Sequence, residues 1–248
     1  MSITDQEVIL KALSVLTGVT AKPHTSNSSF RSKSSNSKPQ LDIYNLIPTA
    51  LLGQNDPQGG YRCMDLEKEV FVNMTELLDP RYDYDFRNVT NNSLCQRGGE
   101  PYKRPCGWYR IALKVLNKYP DGNVWLGTDG MREHSVAGEW PVSYHGTSCT
   151  GAEGIASSSY KPGGGQIYGR GIYSTYDIEE ACSYSKQFTK NGKTYNVILQ
   201  NRVNPKMRKQ CEKKEYWLIE IPEGTTSDKE KEIVEKSIRP YGILLKEV

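Results

Sequence analysis

Three short motifs hold the residues of this chain that can do chemistry: Tyr144-His145-Gly146-Thr147, Tyr168-Gly169-Arg170-Gly171-Ile172-Tyr173, and Lys214-Glu215-Tyr216-Trp217. An imidazole can grip sugar hydroxyls by hydrogen bonds. Tyrosine rings offer a flat surface to a planar group. A carboxylate beside a sugar carbon steadies the oxocarbenium-like charge that develops when a glycosidic bond breaks. Glycine lets the backbone approach a ligand closely because it has no Cβ. Singly, each motif is ordinary: a histidine after a short strand, a glycine turn, a glutamate among lysines. Together they offer the groups a site for glycosidic-bond cleavage needs, with His145, Tyr173 and Glu215 as candidate catalytic side chains and Glu220 and Glu223 as neighbouring carboxylates competing with Glu215.

Short strands must position these residues. Val142–His145, Ile172–Ser174, Tyr195–Gln200, Tyr216–Ile221 and Gly242–Lys246 are apolar or β-branched runs bounded by turn residues. A helix starting at Thr175 or Asp177 is expected through Glu179–Phe188, and a second from the capping box Ser227-x-x-Glu230 to about Ser237, before Pro240. Many short strands and few helices predict an α+β fold with a mostly antiparallel sheet. Upstream, Ile111, Ala112, Val115 and Leu116 share one helical face and predict a helix over 107–119, closed by Pro120. Thr4-x-x-Glu7 predicts a capped leading helix ending at Gly18, either loosely packed or frayed, or a docking element. Lys22 to Gln40 holds seven serines and no acidic residue, too little apolar surface to offset ordering, and reads as a disordered linker. The expected divisions are 1–40 (helix and linker), 41–139 (a front part of unassigned role) and 140–248 (the part bearing the motifs).

The three motifs and their spacing resemble the poly(ADP-ribose) polymerase branch of the ADP-ribosyltransferases over roughly 140–248; no family suggests itself for 1–140. The resemblance implies a split, mostly antiparallel sheet and an enzyme that consumes NAD as substrate, without a metal. It implies that His145 bonds ribose hydroxyls and that the Gly146 backbone pairs with the nicotinamide carboxamide. Tyr173 would line one face of the nicotinamide and Tyr184, eleven residues on, would stack on it. Glu215 would hold the nicotinamide-ribose hydroxyl and support the developing cation. Thr147 and Gly171 would complete the NAD site. Three departures stand out. A serine that donates to the carboxamide is replaced by Ala181, the interval from Tyr173 to Glu215 is short, and no helical regulatory region precedes the fold. Single transfer of ADP-ribose is the expectation, to an acceptor expected to be a protein, with nucleic acid a further possibility.

Other readings compete. Cys106, at the start of the expected 107–119 helix, would be activated by the helix dipole, with His145 as base, in a cysteine hydrolase. A fold that has lost turnover could bind NAD, ADP-ribose or a protein partner, and Ala181 favours that reading. The lysines and arginines around 202–214 suggest an attraction for phosphate. The net charge of +3 over 248 residues is too small to argue for nucleic acid alone. No apolar run approaches a membrane span, and Asp5 and Glu7 stand where a signal peptide would be uncharged. Six cysteines without paired spacing argue against a zinc site or a disulfide framework, so an intracellular protein, cytoplasmic or nuclear, is expected.

Overall fold

The computed structural model describes residues 3–24, 40–47, 69–90, 95–130, 132–146, 168–213 and 215–248. The core of the expected Ser-rich linker (25–39), Thr147 and Lys214 lie outside the described residues.

The fold is α+β and its main sheet is antiparallel throughout. The strands are β1 (Thr20–Pro23), β2 (Gln40–Leu41), β3 (Glu69–Val72), β4 (Tyr84–Asp85), β5 (Cys95–Arg97), β6 (Glu100–Tyr102), β7 (Tyr109–Ala112), β8 (Val142–Gly146), β9 (Gly171–Thr175), β10 (Lys186–Lys190), β11 (Lys193–Val203), β12 (Lys209–Gln210), β13 (Tyr216–Glu220) and β14 (Ile238–Glu247). The helices are α1 (Gln6–Thr17), α2 (Ile43–Ile47), α3 (Met74–Leu77), α4 (Ile178–Ser183) and α5 (Ser227–Ser237). Nine strands make the main sheet, in the order β12-β13-β9-β8-β11-β14-β7-β4 with β10 added alongside β11. β1, β3 and β2 form a small parallel sheet, and β5 with β6 a hairpin.

β11 and β14 are the spine, paired over nine positions with a bulge at Gln200/Asn201. Both bury most of their residues, the polar Asn196, Gln200, Asn201 and Arg202 of β11 included. One edge of β11 is shared. β8 pairs with its residues 198–202, and β10 takes over at Val197. This handover leaves a seam where β8 ends, and the end of α4 crosses it.

The leading helix belongs to the core rather than packing loosely. Val8, Ala12, Leu13 and Leu16 are all at most 1% exposed, and α1 packs on β10 and β11. Its apolar stripe needs this contact, since an isolated helix of this length is marginal in water. Gly18 ends it in the left-handed conformation (φ 74°), as expected. Asp5, not Thr4, is the N-cap and accepts from the Glu7 amide. Likewise Thr226, not Ser227, stands at the N-cap of α5, without a side-chain capping bond, and Glu230 turns inward to Arg170. The two ends of the expected linker are strand residues: Lys22 and Pro23 lie in β1 and Gln40 in β2.

The 107–119 segment is not a helix. It forms β7 and a following irregular stretch, broken by Gly107 (φ 85°) and Asn117 (φ 58°). The Ala112 amide donates to Asp83 and the Leu113 amide to the Tyr241 carbonyl, so sheet neighbours take the bonds a helix would have used. The helix expected over 179–188 also stops early. α4 ends at Ser183, Tyr184 follows as its C-cap, and Phe188 is already paired in β10 with Tyr195.

Candidate functional site

β8, β9 and β13, neighbours in the sheet, carry the three motifs. Tyr144 pairs with Thr175, and Thr175 with Tyr216, so one residue row crosses all three strands. His145 follows Tyr144 on β8, and Glu215 precedes Tyr216 at the start of β13. They flank the row on opposite sides, one position away each. Tyr173 lies two residues from Thr175 on the middle strand.

Beyond this row β8 and β9 part, and a side chain bridges the gap. His145 Nδ1 lies 2.7 Å from the Tyr173 carbonyl oxygen. A carbonyl only accepts, so Nδ1 carries the proton and donates it. In the neutral ring Nε2 is then an acceptor. The ring is partly exposed by area but closely surrounded by protein, and this burial pulls its pKa down to about 4, against the Tyr173 bond, which favours the proton. At neutral pH His145 therefore presents an uncharged acceptor nitrogen, oriented by main chain.

The Tyr173 ring is fixed at its far end. Its hydroxyl donates to the Gly169 carbonyl at 2.7 Å and accepts from the Tyr168 amide at 3.1 Å. Burial raises its pKa to about 12, so it stays neutral. The turn that feeds it is pinned by Arg170, which bonds the Ile221 and Pro222 carbonyls and the Glu230 carboxylate of α5.

Two motif positions admit only glycine. A Cβ on Gly146 would lie 2.1 Å from the Ala181 carbonyl and 2.9 Å from the Tyr184 carbonyl carbon, because α4 crosses the seam there. A Cβ on Gly171 would lie 2.0 Å from the Ile219 carbonyl of β13. Both glycines thus serve packing of backbone on backbone, which brings α4 against β8 and β9 against β13.

Asp177 is the N-cap of α4; its side chain accepts from the Glu179 amide and pairs with Lys103. Ala181 is buried, its methyl packed in a cluster with Tyr144, Ile178 and Ile198. Tyr184 joins a polar chain. Glu180 accepts from the Tyr216 hydroxyl and pairs with Lys213 at 2.8 Å, while the Tyr216 and Tyr184 hydroxyl oxygens are 3.0 Å apart. Lys213 and Tyr216 hold the Glu180 carboxyl below its usual range, so it is ionised and only accepts. The single Tyr216 proton goes to it, and Tyr184 must donate to Tyr216. Burial, with Glu180 second, pushes the Tyr216 phenol well above its usual range. Glu215 sits half-buried in the turn between Lys213 and Tyr216. Of its rivals, Glu220 is exposed and pairs with Lys209, and its carboxylate lies beside the turn at Gly169, 3.7 Å from where a Cβ there would stand; Glu223 is exposed.

The structure therefore brings His145, Gly146 and Tyr173 together where β8 ends, with Tyr184 at the end of the helix crossing there; Gly171 packs on β13, and Glu215 lies across the shared row from His145 and Tyr173. Motif reading did not reach Tyr168, Glu180, Lys213 or Tyr216 as supports. Tyr168 and Tyr216 were visible inside the motifs, whereas nothing in sequence joins Glu180 to a turn more than thirty residues later. Cys106 loses the argument made for it: no helix starts at 107, so no helix dipole acts on its thiol. The basic run near 202–213 is largely neutralised internally. Arg202 is buried against the Trp140 and Leu126 carbonyls, Arg208 lies over Trp217 and pairs with Glu100, and Lys209 and Lys213 are paired. Among the described residues no three His, Cys, Asp or Glu side chains gather as a metal site, and no helix is long and apolar enough to cross a membrane.

No protein-family model matches the chain, and no curated protein matches it.

Proposed function

We propose that this chain is a mono-ADP-ribosyltransferase of the His-Tyr-Glu type, built on the split-sheet transferase fold, acting inside the cell, cytoplasmic or nuclear, with NAD as substrate and a protein as acceptor. The observation that carries the reading is the His145–Tyr173 bridge at the parting of β8 and β9. It leaves a neutral Nε2 acceptor for a ribose hydroxyl, where a charged imidazolium would have none. In this reading Tyr173 and Tyr184 hold the nicotinamide ring. The bond between the ribose carbon and the nicotinamide nitrogen breaks, its electron pair goes to the nitrogen, and the Glu215 carboxylate supports the cation left on the ribose. An acceptor nucleophile then bonds that carbon and gives up its proton.

One observation favours a second reading, a binding module without turnover. Ala181 is a buried methyl where the resemblance calls for a hydroxyl on the carboxamide. Calorimetry with NAD, run beside an assay of released nicotinamide, separates the two. Binding with release supports the transferase, binding without release the module, and no binding removes the transferase and any module that binds NAD.

A further inference from the structure

The turn that carries Glu215 is gripped on both sides of that residue by one carboxylate. Lys213, two residues before, places Nζ 2.8 Å from Glu180 Oε1, and Tyr216, one residue after, donates its hydroxyl to the same oxygen. The turn is closed on itself as well: the Tyr216 amide donates to the Lys213 carbonyl at 2.9 Å and the Cys211 amide to the Tyr216 carbonyl at 3.0 Å. Glu180 stands on α4, the helix whose end crosses the strand seam against Gly146. The same Tyr216 hydroxyl receives the proton of Tyr184, 3.0 Å away, at the C-cap of that helix. A donor order thus runs from Tyr184 to Tyr216 to Glu180, with Lys213 closing the far side. Charge-assisted bonds of this kind are stronger than neutral ones and fix direction as well as distance.

We propose that Glu180 is a positioning residue for this site: through Lys213 and Tyr216 it holds the turn that presents Glu215, and through Tyr216 it orients the ring of Tyr184. Glu180 touches no reacting atom in this arrangement. It couples the helix at the seam to the start of β13, so that the tyrosine and the carboxylate are set by one anchor. The catalytic consequence rests on the transferase reading above; the anchoring itself does not.

The test uses the full chain with Glu180→Ala, Glu180→Gln and Tyr216→Phe, and two readouts. The first is amide hydrogen exchange at Cys211 and Tyr216, which needs no activity. Exchange is expected to quicken in Glu180→Ala and Tyr216→Phe, with amides elsewhere in β9 and β14 unchanged; Glu180→Gln, which keeps an acceptor oxygen, should lie between. The second is steady-state nicotinamide release. Glu180→Ala should lower kcat/KM by ~10–100-fold, the scale of a misplaced catalytic group. In a Glu215→Ala background the same substitution should cause a smaller loss of kcat, because part of its effect passes through Glu215 and only the part through Tyr184 remains. Unchanged amide exchange in both Glu180→Ala and Tyr216→Phe overturns the proposal whatever the activity. A loss of kcat that adds in full to that of Glu215→Ala also overturns it, since Glu180 would then act by itself. Absence of release by the unmodified protein removes the transferase reading, and amide exchange then decides the anchoring alone.

Discussion

His145 and Tyr173 meet through ring and main chain, not through their two side chains: the imidazole Nδ1–H donates to the Tyr173 carbonyl at 2.7 Å, across the gap where β8 and β9 separate. The bond spends a backbone acceptor that a continuous sheet would have used in its ladder, and in return fixes the tautomer of the histidine. The tyrosine ring is left to be fixed independently, by the Gly169 carbonyl and the Tyr168 amide. Two side chains from neighbouring strands are thereby each fixed by main-chain partners.

The first expectation concerns pH. The folded pKa of His145, about 4, lies below its ordinary value of 6.5. The neutral ring is therefore the form the fold favours. Its contribution to stability is complete above pH 6.5 and is lost progressively as pH falls from 6.5 to about 4, because the unfolded chain takes up the proton first. NAD affinity should accordingly show no histidine titration between pH 6 and 8, read by calorimetry. A midpoint near 6.5 abolished by His145→Ala would show that the ring titrates as if in water.

Gly146→Ala and Gly171→Ala should each destabilise the fold, by roughly 2 kcal/mol or more, because a methyl would press on backbone that has no room to yield. The contacts are the Ala181 carbonyl at 2.1 Å and the Ile219 carbonyl at 2.0 Å. Denaturant midpoints measure this. Gly192→Ala, whose Cβ would meet nothing within 4 Å, is the reference substitution, although its positive φ (76°) adds some strain.

These glycines also show how far the site was legible in sequence. Their motif positions were plain, but the sequence suggested close approach to a ligand, and the close approach found is of helix and strand backbone. The late strands were readable because β8, β9, β11, β13 and β14 are runs of apolar or β-branched residues between turns. Residues 107–119 misled because Ile111 and Ala112 suit a helical face and a sheet strand alike. Ile111 pairs with Ile243 of β14, a partner over a hundred residues away that local spacing cannot reveal. The anchors at Glu180 and Lys213 were hidden for the same reason, since each is an ordinary charge until the other is brought to it.

Arg170 and Glu230 form another long-range tie. The Glu230 side chain is wholly unexposed, so Arg170→Ala would strand a buried carboxylate. A loss of ~3 kcal/mol is expected, with most of it recovered in the Arg170→Ala/Glu230→Gln double variant. Thermal melts of the three variants measure the recovery. Simple addition of the single effects would mean the two residues do not act as a pair.

Ala181→Ser separates the two readings of the site. If α4 keeps the register that the resemblance implies, the new hydroxyl gains a partner in bound NAD and KM for NAD falls, by ~5-fold for one net hydrogen bond. If the hydroxyl is simply buried beside Ile178 and Ile198, KM stays constant and the melting temperature drops, the cost of an unsatisfied polar group.

The most direct test is nicotinamide release from NAD by the purified chain, measured beside Glu215→Ala and Cys106→Ala. The account predicts release that falls by ~10²–10³ in Glu215→Ala, as for other groups that stabilise transition-state charge, and is unaffected in Cys106→Ala. Equal release with and without the Glu215 carboxylate, or release that depends on Cys106, would contradict it.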